Sequence, residues 1–140
     1  MADIIEQTIS HIFNLRKLVS ESIEKQSLDT QCSFLQLKTL HFVLERKNPT
    51  MRDVSVFLGI TPPSATSIIN RLIVARNIKR IPDKADRRII RLSITLSGQK
   101  SFESGMKNVS QAMRKILSKL GDQEQIQLNL LLKKIVGVNN

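Results

Sequence analysis

Two short amphipathic segments separated by a two-residue turn constrain this chain more than any other feature. Thr50 can cap the first of them, and Asp53 stands in its first turn, where the positive end of a helix dipole favours an anion. Val54, Phe57 and Leu58 supply an i, i+3, i+4 apolar face, and Gly59 offers the left-handed residue that ends a helix. Ile60 alone intervenes before Thr61 caps the second segment, with Pro62 at its first position, where a missing amide hydrogen costs nothing. Ala65, Ile68, Ile69 and Leu72 recur at the spacing of a buried face. Two short helices joined by a Gly-containing turn form a helix-turn-helix, with the second helix expected over about residues 61–76.

Directly behind this pair the hydrophobic period changes. Ile90, Leu92 and Ile94 alternate with Arg91 and Ser93, as in a half-buried strand. Residues 78–81 are its expected antiparallel partner, joined through Pro82-Asp83-Lys84-Ala85-Asp86. A charged hairpin in this position is a wing, expected over about residues 78–94, and the winged lobe as a whole over 31–99.

Longer amphipathic helices flank the lobe. Ile4, Ile5, Ile9, Ile12, Phe13, Leu15, Leu18, Val19 and Ile23 recur at helical spacing over roughly residues 3–25. Ser33 and Gln36 read as a capping box, after which Leu37, Leu40 and Leu44 line one face until Asn48-Pro49. Thr95 caps a long helix that carries Leu96, Phe102, Met106, Val109, Met113, Ile116, Leu117 and Leu120. Gly121-Asp122 breaks it, and Leu128, Leu131, Leu132, Ile135 and Val136 form a last amphipathic helix.

The apolar faces at both chain ends exceed what a small winged lobe can cover, and a monomer would expose them. Residues 1–30 and 100–140 are therefore expected to be dimerisation helices, with Ile4, Ile5, Ile9, Ile12, Leu128, Leu131, Leu132 and Ile135 at the interface. The expected fold is mainly α: a winged helix-turn-helix whose N- and C-terminal helices form a dimerisation domain. Two-fold symmetry would set the recognition helices about one DNA turn apart, ~34 Å, and calls for a near-palindromic site.

Charge points to a polyanion. Among 140 residues, 22 Lys and Arg face 12 Asp and Glu, a net charge of +10, and neutralising phosphates releases condensed counterions. Composition alone would also serve solubility or an anionic membrane surface, so position must decide. Arg76, Lys79, Arg80, Lys84, Arg87, Arg88 and Arg91 fall in one short stretch, opposed there by Asp83 and Asp86. A solvated hairpin with cations guarding its edges would use Lys and Arg alike, whereas a narrow minor groove attracts Arg in particular. On the preceding helix, at about 100° per residue, Pro63, Thr66, Ser67, Asn70 and Val74 point away from the buried set, with Ser64 and Arg71 at the flanks. Small hydroxyls permit close approach to base edges, and Asn can both donate and accept at adenine. The same residue types make ordinary polar surface, but their adjacency to the wing favours duplex DNA. Ser64, Thr66, Ser67, Asn70 and Arg71 are the groove-facing candidates.

Over essentially its whole length the chain resembles the MarR family (multiple antibiotic resistance regulators) of winged-helix transcription factors. The resemblance is strongest in DRRIIRLSITLSG, Asp86 to Gly98, which is similar to the family's Asp-x-Arg wing and the Leu, Thr and Gly pattern behind it. Ser33-x-x-Gln36 and Asn70-Arg71-Leu72 add to it. The resemblance implies a triangular homodimer with two winged lobes straddling double-stranded DNA, and a repressor, or less often an activator, acting on a near-palindromic operator. It implies that Arg88 enters the minor groove, with Arg87 a second candidate at the tip, and that Asp86 helps to set the wing's shape. It further implies a small aromatic or phenolic effector between dimer helices and winged lobe, a crevice the sequence itself does not reveal. One departure stands out. The family usually has Gly after the recognition helix, where this chain has Arg76-Asn77, and Asn77 is expected to supply the left-handed turn one position later.

Other candidates are thin. His11 and His41 lie on separate helices without a third ligand, so no metal site is expected. Cys32 precedes a helix N-terminus, a position that can depress a thiol pKa, but the family's oxidant-sensing cysteines generally lie in the first helix. A single cysteine permits no intrachain disulfide. No nucleophile–base pair or Gly-rich phosphate loop is visible, so neither an enzyme nor a cofactor carrier is expected. MADIIEQTIS lacks the pattern of a signal peptide, and no run is apolar enough for a membrane span. A cytoplasmic location follows as the expectation. Two rival classes remain: a nucleoid- or RNA-associated protein that binds without sequence choice, and a protein-interaction adaptor without DNA affinity.

Overall fold

The computed structural model of the protein describes residues 2–26 and 33–137. Among these, six helices and one hairpin follow in the order α1 (Ala2–Gln26), α2 (Phe34–Arg46), α3 (Met51–Leu58), α4 (Pro62–Val74), β1 (Ile78–Pro82), β2 (Ile90–Ile94), α5 (Leu96–Leu117) and α6 (Asp122–Val136). The fold is a winged helix-turn-helix flanked by long helices.

Local chemistry sets most boundaries. Ser33 and Gln36 close a reciprocal capping box at the start of α2, the Ser33 hydroxyl accepting from the Gln36 amide at 3.3 Å. Thr50 and Asp53 form a second box at α3, more than the dipole contact expected of Asp53: the Thr50 N–H donates to the carboxylate at 2.9 Å. Gly59 ends α3 with φ 63°, and the Thr61 hydroxyl caps α4 ahead of Pro62. The left-handed residues that stop α2 are Lys47 and Asn48, with φ 49° and 66°.

The core lies where α2, α3, α4 and the hairpin meet, around Leu40, Phe42, Val43, Val54, Ile69, Leu72, Ile78 and Leu92. Ala65, Ile69 and Leu72 are the buried face of α4, with Ile68 half-buried beside them. Leu44 departs from expectation and is 38% exposed. The last turns of α2 instead bury Phe42 and Val43, and Phe42 stacks on Phe57 of α3 with ring centroids 4.2 Å apart. Phe57 in turn keeps one side open.

The hairpin pairs Ile78 with Ile94, Arg80 with Leu92 and Pro82 with Ile90. It also has a tie that the alternation does not announce: the Leu92 N–H donates to the Pro49 carbonyl at 2.8 Å, and Thr50 bridges to Arg91. The wing is thereby stitched to the α2–α3 turn. Behind it, α5 packs on both α1 and α2. Gly105 permits the second of these contacts, since a Cβ there would stand 2.3 Å from the Leu37 Cδ2.

The turn from α4 into the wing corrects one expectation. Arg76, not Asn77, is left-handed, with φ 61°. Asn77 is buried because it is a joint: its carbonyl accepts from the Thr95 N–H at 3.0 Å, and its Oδ1 accepts from the Ser101 hydroxyl at 3.1 Å. An amide side chain committed to α5 leaves the preceding exposed residue, Arg76, to absorb the reversal.

Candidate nucleic-acid interface

Because Ala65, Ile69 and Leu72 face inward, the opposite side of α4 is open. Ser64, Thr66, Ser67, Asn70 and Arg71 are all exposed, as are Pro63 and Val74. Ser64 belongs to the helix start: its N–H donates to the Thr61 hydroxyl, which in turn donates to the Ser64 Oγ at 2.9 Å. Thr66 donates back to the Pro62 carbonyl at 2.9 Å, so its hydroxyl proton is committed within the helix and its oxygen keeps only acceptor capacity. Thr66, Ser67, Asn70 and Arg71 line one wall of an open cleft of about 1240 Å³, whose other wall includes Ser97, Lys100, Ser101 and Ser104 at the start of α5.

The wing tip is organised by its two aspartates. Asp86 accepts from the Arg88 backbone N–H at 3.0 Å and from the Arg88 guanidinium at 3.1 Å, while the Arg88 side chain remains 91% exposed. The Arg88 side chain, then its N–H, holds the Asp86 carboxyl below the usual aspartate value of 3.8. Asp83 accepts from the Ala85 N–H and from Arg91, which together lower its pKa, the Ala85 bond contributing most. Arg91 also donates to the Asn48 carbonyl at 3.0 Å, so it is a strut at the wing's root. Arg87 is exposed at the tip.

One contact joins the two halves of this surface. The Arg80 Nη2 on β1 donates to the Asn70 Oδ1 on α4 at 2.6 Å. Residues paired across an antiparallel ladder share a face, so Arg80, opposite Leu92, rises from the side of the hairpin that covers the core and reaches past it to the helix. Sequence reasoning counted Arg80 among the wing cations without giving it a role. The signal was present in the two-residue step from the core residue Ile78. The wing and the polar side of α4 therefore meet on one continuous surface.

Residues 31–89, which span α2 to the wing tip, match the sequence model of the MarR family. That stretch is thus similar to the MarR family. The matched stretch lies within a fold shared with solved structures along nearly the full length. A MarR family protein from Bacillus stearothermophilus superposes with a TM-score of 0.83 at 13% identity, over 98% of this chain and 96% of that one. The transcriptional regulator Tm0710 from Thermotoga maritima gives a TM-score of 0.69 at 25% identity, over 96% and 93%. The uncharacterized HTH-type transcriptional regulator YsmB of Bacillus subtilis is 23% identical over 120 residues, 86% of this chain and 80% of its own length.

The remaining candidates add no chemistry to this surface. His41 stacks on Phe102 at 5.5 Å and meets Glu45 at 3.3 Å, a helix-surface arrangement. Among the described residues no three His, Cys, Asp or Glu side chains gather as a metal site, and no helix is long and apolar enough to cross a membrane. Cys32 lies outside the described residues.

Proposed function

We propose that this chain is a MarR-type transcription regulator that acts as a homodimer and selects a near-palindromic operator, with α4 in the major groove and the wing in the flanking minor groove. The observation that carries the reading is the Asn70–Arg80 contact, which fixes the open polar side of α4 and the cationic hairpin on the same side of the lobe. In it, Thr66, Ser67, Asn70 and Arg71 approach base edges and Ser64 the backbone at the helix start, while Arg88, braced by Asp86, and Arg87 meet the minor groove. Small hydroxyls and an amide on α4, in place of a row of cations, favour site selection over sequence-blind binding.

The pairing of two chains is supported by unsatisfied apolar surface. Among the described residues α6 buries none of its side chains, and Leu131, Leu132 and Ile135 are exposed, as are Ile4, Ile5, Ile9 and Ile12 on α1, with Leu128 half-buried. A second copy covering α1 and α6 removes that surface from water, and residues 1–30 with 100–140 then act as the dimerisation part beside a 31–99 lobe. Repression is the expected outcome of operator occupancy, in the cytoplasm where the duplex lies. The cleft between α4 and α5 is the place for a small aromatic or phenolic effector, which would release DNA by favouring a dimer whose helix spacing mismatches the groove.

Selection of bound sequences from random duplex by the purified protein tests the reading. Two half-sites related by a dyad, about 10–10.5 base pairs apart centre to centre, are expected. Recovery of unenriched sequence would replace an operator-selecting regulator with a general nucleic-acid binder.

A further inference from the structure

We infer that Arg80 sets the base preference of the recognition helix by fixing the side-chain amide of Asn70, so that Asn70 presents its NH2 group, not both ends of the amide, to the major groove. The inference rests on the reading of α4 as the groove-facing helix. Arginine has no acceptor, so the Asn70 atom 2.6 Å from the Arg80 Nη2 must be the carbonyl oxygen, and the amide's orientation is settled by its partner. Both side chains are exposed, and Asn70 lies between Ser67 and Arg71 on the open wall of α4.

The consequence follows from base-edge geometry. An unrestrained Asn reads adenine with two bonds in one plane, accepting from N6 and donating to N7. Here a charge-assisted bond holds the oxygen toward the wing, so the amide cannot turn both ends to one base. What stays available is the Nδ2 donor pair, which matches an acceptor edge: O6 and N7 of guanine, or O4 of thymine. Arg80 thus acts through Asn70 as a positioning residue, and it couples the wing's root to what the helix reads.

The test compares sequences selected from random duplex by the wild type, Arg80→Ala, Arg80→Lys, Asn70→Ala and the double variant. The wild type should enrich guanine or thymine at one symmetric position of each half-site. Arg80→Ala, which frees the carbonyl, should move that position toward adenine by about tenfold in relative affinity and leave the others unchanged. Arg80→Lys keeps the charge but not the rigid fork and should give a mixed preference. With Asn70→Ala in the background, removing Arg80 should change no base preference. Uniform weakening of all sites by Arg80→Ala, with an unaltered preference, would make Arg80 a backbone cation and overturn the inference. Failure of the wild type to enrich any site would instead remove the groove-facing reading beneath it.

Discussion

At the scale of single residues, Gly98 shows how tightly α5 is seated on the wing. A Cβ there would stand 2.0 Å from the Asn77 carbonyl oxygen and 2.8 Å from the Ile94 Cγ1. That oxygen also accepts from the Thr95 N–H, so it cannot withdraw without breaking the joint. Gly98→Ala should lower stability by about 2–3 kcal/mol in urea denaturation; an unchanged midpoint would mean that the start of α5 yields freely. Arg88 is a residue of the opposite kind, exposed and held at one point by Asp86. Arg88→Ala should leave the fold intact and weaken operator binding about tenfold, with the log–log salt slope reduced by about one. A salt series by fluorescence anisotropy reads both numbers. The sequence made the residues of α4 legible because a helix face depends on spacing alone. It misplaced the left-handed turn because the partners of Asn77, the cap Thr95 and Ser101 in α5, lie beyond any local window.

At the scale of elements, the caps were readable because Ser33, Thr50, Thr61 and Thr95 act on amides three residues away. The Asp53 side of the α3 box carries a pH dependence whose sign is fixed. The Thr50 backbone N–H, more than any other influence, lowers the Asp53 pKa from 3.8. A depressed carboxylate stabilises the fold at pH above its unfolded value and loses that contribution as pH falls through the lower, folded one. The wild type should therefore lose stability on acidification below 3.8 more steeply than Asp53→Asn, which cannot titrate there. Parallel acid limbs in thermal melts of the two proteins would contradict the role given to this cap. The wing was legible as a hairpin from its alternation and charge. Its anchoring to the α2–α3 turn through Pro49, Thr50, Asn48 and Arg91 was not, since it joins groups more than forty residues apart, a separation of 43 between the Arg91 guanidinium and the Asn48 carbonyl.

At the scale of the whole molecule, the surplus of apolar helix surface at both chain ends was the clearest message of the sequence. In the single chain that surface stands open, with Ile135 78% and Leu131 59% exposed. Leu131→Asp combined with Ile135→Asp should convert a dimer into a monomer by light scattering while far-ultraviolet dichroism stays helical. Persistence of the dimer would place the pairing surface elsewhere. The proposed pairing matters because one lobe offers one recognition helix, and a two-fold pair would turn a basic surface into a reader of spaced half-sites.

Hydroxyl-radical footprinting of the wild-type protein on its selected duplex tests the central claim most directly. Two wings entering the minor groove on one face of the duplex should give separated protections in helical phase on either side of a dyad. Between them, two major-groove half-sites should lie about 10–10.5 base pairs apart. A single unphased patch, or protection by one lobe alone, would contradict a surface built from α4 and the wing acting twice on one duplex.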